Sequence, residues 1–143
     1  MIEIELRRGM KKGDFVEFAA GAPKGSHWNE DSIFLQDEVF GYIEPALSKA
    51  VPGLTRFGPN ELPRATCMKA IVRLERLSKL LADAKSVSEL DGIIQFADLA
   101  EGRNEFAQDF GRNKESLLGV ISELTMWMNE KAKTHEVIWI LGF

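Results

Sequence analysis

The sequence predicts an α+β domain: a small two- or three-stranded sheet built from both chain termini, covered by a layer of three to four helices. Three observations lead there. Ile2, Ile4 and Leu6 alternate with Glu3, Glu5 and Arg7 at the period of a half-buried strand. Val137-Ile138-Trp139-Ile140-Leu141 is a short unbroken apolar run, β-branched and aromatic, of the kind buried on both faces of a sheet. Between them, apolar residues recur at spacings of three and four over long stretches. An unpaired strand with the composition of 137–141 would aggregate, so the two ends are expected to meet in one sheet.

Taken in order, the first strand is followed by the turn residues Arg8 to Gly13. Asp14 to Ala20 carries Phe15, Val16 and Phe18 and is expected to form a second strand, hairpinned to the first. A short helix with Asp14 and Glu17 as a capping box is the alternative. Gly21 to Ser26 is a loop by composition. Asn29 or Asp31 then caps a helix whose apolar face is Leu35, Val39, Tyr42, Ile43, Ala46 and Ala50. Pro45 lies inside that helix and is expected to kink or break it, because proline removes a hydrogen bond and crowds the preceding turn.

Thr55 to Pro63 reads as a loop, with Gly58-Pro59 as its turn. A helix from Pro63 to about Ala84 buries Cys67, Ala70, Ile71, Leu74, Leu77 and Leu81 on one stripe, with Lys69, Arg73 and Arg76 on the other side. Ser86 to Leu99 is read as a shorter helix capped by Ser86 or Ser88 and weakened by Gly92. Ala100 to Arg112 is expected to be a loop pinned by Phe106 and Phe110. From Asn113, as a cap, a long helix presents Leu117, Val120, Ile121, Leu124, Trp127 and Met128.

At 143 residues the chain is expected to be a single domain spanning 1–143, large enough to bury a core without staples. One cysteine, Cys67, forms no disulfide within the chain and suits a reducing compartment. There is no signal-peptide pattern and no apolar run long enough for a bilayer, so a cytoplasmic location and no membrane partner are expected. The net charge of −4 argues against nucleic acid. Charge alternates along the chain: residues 26–62 hold six acids and two bases, 63–85 two acids and six bases, and 86–110 six acids and one base.

No catalytic residue, cofactor or metal site is expected, because two distant histidines and turn glycines match no such pattern. The expected function is a non-enzymatic protein-binding module, a bacterial immunity or antitoxin-type inhibitor being one concrete form. Its contact surfaces would be the acidic segments Asn29 to Glu44 and Asp91 to Asp109, with Trp28, Glu30, Asp31, Asp37 and Glu38 as contact residues. The basic stripe Lys69, Arg73 and Arg76 is a second candidate surface, for an acidic partner or phosphate, and a homodimer is plausible. The alternative is a small-ligand or enzyme site formed by His27, Glu30, Asp31 and Arg56, since a histidine among carboxylates can transfer protons.

Overall fold

A computed structural model describes residues 3–8, 14–21, 31–97 and 99–142. Five antiparallel strands, β1 (Leu6–Arg7), β2 (Phe15–Ala20), β3 (Ile33–Gln36), β4 (Pro59–Pro63) and β5 (Val137–Leu141), form one sheet in the order β1-β3-β2-β5-β4. Among the described residues four helices accompany them: α1 (Asp37–Ser48), α2 (Arg64–Asp83), α3 (Leu99–Gln108) and α4 (Phe110–Thr134). The α+β class stands, but the sheet is larger than the two or three strands expected.

Both ends of the chain do enter one sheet, although they are not neighbours. β5 lies between β2 and β4, and among the described residues β1 pairs with β3 alone. The expected hairpin of β1 with β2 is therefore replaced by a β2–β3 pairing, Phe18 opposite Ile33 and Val16 opposite Leu35. Ile33-Phe34-Leu35 falls within the helix expected after the Asn29 or Asp31 cap and is instead a strand. A short, wholly buried apolar run has no period of its own, and here the strand passes into α1 without a turn, Gln36 being the N-cap.

One face of the sheet carries Val16, Phe18, Ile33, Leu35, Leu62, Ile138 and Ile140 into the core, where they meet the apolar stripes of α1, α2 and α4. All six stripe residues expected on α2 are buried, and so are all six on α4. Burying a leucine or phenylalanine of this kind contributes about 1.5–3 kcal/mol. The opposite face is also covered along β2 and β3, since Glu17 and Phe34 are both buried. There the Glu17 carboxylate accepts a 2.6 Å hydrogen bond from the Ser32 hydroxyl.

Other expectations change locally. Pro45 sits inside α1, yet the helix is continuous through it from Asp37 to Ser48, so no break occurs. Ser86 does cap, forming a capping box with Glu89, but the result is one 3-10 turn over Val87–Leu90. Gly92, at φ +80°, turns the chain out of any helix beyond it. Residues 100–112 are helical rather than a loop. The aromatics still pin them: Tyr42, Phe96, Phe106 and Phe110 make edge-on contacts with centroids 5.5 to 6.1 Å apart. Asn113 does not start α4 but lies buried in its first turns, where its amide donates to the Phe106 carbonyl at 3.1 Å. It thereby satisfies an open carbonyl near the end of α3.

The stretch expected to be a loop contains β4, an edge strand with Asn60 and Leu62 buried and Pro59, Glu61 and Pro63 exposed. Hydrogen bonds Arg64 N–H to Glu136 O and Gly142 N–H to Gly58 O bracket its register on β5. The alternation points the backbone groups of Asn60 and Leu62 at β5 and those of Pro59, Glu61 and Pro63 outward. The Asn60 side chain locks the preceding loop, donating to Thr55 O and Ile140 O and accepting from Thr55 N–H.

Candidate functional site

The first turn of α1 places Asp37 and Glu38 at a helix N-terminus, where the dipole favours negative charge. Asp37 is neutralised on the spot. Its carboxylate pairs with the Arg56 guanidinium at 2.6 Å, and Glu44, two turns along α1, takes the other side of the same guanidinium at 2.7 Å. Arg56 also lies over the Phe40 ring. The Glu44 hydrogen bond, followed by the charges around it, holds the Arg56 pKa above its ordinary value. Asp37 thus helps fix the Arg56 loop against α1.

Glu38 has no such partner. It opens onto a cleft of about 440 Å³ whose other walls are Tyr42 and the α3 residues Glu101, Gly102, Asn104, Glu105 and Gln108, with Ala97 at one end. Glu38, Glu101 and Glu105 make no ion pair among the described residues, so three carboxylates line one concavity. Gly102 lets the start of α3 fold tightly against Ala97, because a Cβ there would collide with the Ala97 carbonyl. Burial first, then the charges of Glu38 and Glu105, push the Tyr42 phenol up to about 12. At neutral pH the phenol is therefore protonated.

A hollow of about 320 Å³ continues the cleft past Ala97, with Asp37, Arg56, Gln95, Phe96 and Leu99 in its walls. Beyond it lies a more apolar one of about 440 Å³, where Pro45, Ile94, Phe96 and Leu99 lie beside the Asp91–Arg103 ion pair. Leu99 is 77 % exposed. The two acidic segments singled out in the sequence therefore meet on one surface, acidic at one end and apolar at the other.

The remaining candidates are dispersed. Trp28, Glu30 and His27 lie outside the described residues. Asp31 is exposed; its carbonyl accepts from the Trp127 indole at 2.9 Å and its carboxylate is 3.8 Å from Lys131. Asp31 lines a hollow with Trp127, Glu123 and Glu130, which shares no residue with the hollow of Arg56. Lys69 is exposed, whereas Arg73 is half-buried and lines a separate pocket with Arg76. Cys67 is buried, and burial pushes its thiol up to about 11. His135 ends α4, its Nδ1 within 2.9 Å of the Thr134 hydroxyl and 3.3 Å of the Lys131 carbonyl.

Sequence reasoning missed Glu101, Glu105 and Tyr42 as members of one site. Glu101 and Glu105 stand at i and i+4, a helical face legible only once α3 is known to be a helix. Among the described residues no group of three or more His, Cys, Asp or Glu side chains is arranged to hold a metal ion, and no helix is long and apolar enough to cross a membrane. Compared with protein-family models, curated proteins and solved structures, the chain matches none.

Proposed function

We propose that the chain is a protein-binding module that receives a basic segment of another protein in the α1–α3 cleft. One observation carries this reading: Glu38, Glu101 and Glu105, drawn from two distant acidic segments, converge on one cleft without basic partners among the described residues. A fold gains nothing from gathering unpaired like charges. A lysine- or arginine-rich partner would relieve that repulsion and associate quickly through electrostatic steering. The apolar hollow around Phe96 and Leu99 would add an anchor beside the charged contact. An inhibitor of the immunity or antitoxin type is one concrete form of such a module.

The test is affinity capture from the host lysate at low and high salt, using the wild type and the triple variant Glu38→Lys, Glu101→Lys, Glu105→Lys. The wild type should retain one stoichiometric basic partner that salt releases. The variant should retain none while melting within a few degrees of wild type, since all three carboxylates are solvent-exposed. A partner held equally by the variant, or none at low salt, overturns the proposal. Asp37 is unsuited to this test because its reversal breaks the Arg56 pair.

A further inference from the structure

Away from the acidic cleft, three cations come together around a small pocket. Lys49 stands at the C-cap of α1, and Arg73 and Arg76, one turn apart, project from α2. Between them is a hollow of about 140 Å³ with Ala46, Leu77, Leu80 and Ile93 as its apolar lining. The side chains of Lys49, Arg73 and Arg76 make no hydrogen bond or ion pair among the described residues. Composition does not force this, because the chain has 22 acids for 18 bases. Elsewhere Arg7, Arg56 and Arg103 each hold a carboxylate. Nearby acids are committed or turned away: Glu44 is taken by Arg56, and Glu75, two positions from Arg73, points round the helix from it.

We infer that this pocket binds a small organic anion, a benzene-sized apolar group bearing a phosphate or carboxylate. The size follows from the hollow, since a cavity of about 150 Å³ accepts benzene. The charge follows from the rim, where two guanidinium groups offer planar paired donors and an ammonium a third positive charge. Leu80, 52 % exposed, loses water contact once the apolar group is seated.

The probes are phenyl phosphate, inorganic phosphate and benzyl alcohol, titrated into the whole chain at constant ionic strength and followed by amide chemical shifts. Phenyl phosphate should saturate and shift residues 46–49, 73–80 and 93, with inorganic phosphate and benzyl alcohol each at least tenfold weaker. Arg73→Gln with Arg76→Gln should weaken phenyl phosphate at least tenfold without lowering the unliganded melting temperature, and Lys49→Gln by a smaller factor. Equal binding of phenyl phosphate and inorganic phosphate overturns the inference, because the apolar lining would then contribute nothing. Undiminished binding by the double arginine variant, or shifts confined to other residues, overturns it as well.

Discussion

Tyr42 is the chain's only tyrosine, so its ionisation can be followed without interference from another phenol. Its pKa is raised to about 12, by burial and then by Glu38 and Glu105. The folded state therefore favours the neutral phenol. That contribution to stability is complete below the ordinary value near 10 and is lost as pH rises through about 12. An alkaline absorbance titration should place the phenolate midpoint near 12 in the native protein and near 10 in denaturant. Glu38→Gln and Glu105→Gln should each bring the native midpoint down by less than burial raises it; a native midpoint near 10 would contradict the packing of this ring. Neighbours in sequence can differ sharply at this scale. Asp37 and Glu38 share a helix turn, but about 100° of rotation separates them, and that rotation decides which one meets Arg56. No sequence pattern announces the pairing, because Arg56 approaches from a loop.

Among the elements, the glycines of α3 and α4 make the sharpest contrast. Gly102 faces the Ala97 carbonyl with no room for a methyl group, whereas Gly119 on α4 has open space where its Cβ would be. Gly102→Ala should destabilise by about 1–3 kcal/mol through overpacking, and Gly119→Ala should stabilise by about 0.5–1 kcal/mol through helix propensity. Urea unfolding of the two variants checks both signs. The same glycine explains what was legible. α2, α4 and β5 were readable from sequence because their apolar periods are long or their β-branched content is high. α3 was not, because Gly102 and a largely polar surface hide its period, and only Phe106 is buried along its length. β4 was hidden by its prolines, which oppose strand propensity everywhere but at an edge. The cleft depends on α3, so Glu38 was visible as a contact residue, whereas Glu101 and Glu105 were visible only within the acidic segment Asp91 to Asp109.

For the molecule as a whole, charge is sorted by place rather than spread. Glu38 of α1 and Glu101 and Glu105 of α3 share one cleft, and Lys49 at the end of α1 shares one pocket with Arg73 and Arg76 of α2. The alternation of acidic and basic segments along the chain thus becomes two surfaces of opposite sign, only partly cancelled by pairs such as Asp37–Arg56. Salt should accordingly weaken the proposed association at the cleft more than it alters stability, which rests on the apolar core. The outward side of β4 adds a different property. Of its three outward positions, Pro59 and Pro63 have no N–H, so Glu61 alone can offer a backbone donor there. Replacing them, Pro59→Thr with Pro63→Val, restores two donors, and sedimentation velocity should then show oligomers growing with concentration where the wild type shows none from this edge. A neighbour's strand laid along β4 would therefore find a single donor where a ladder needs several, so the sheet is discouraged from growing into a fibril from that side.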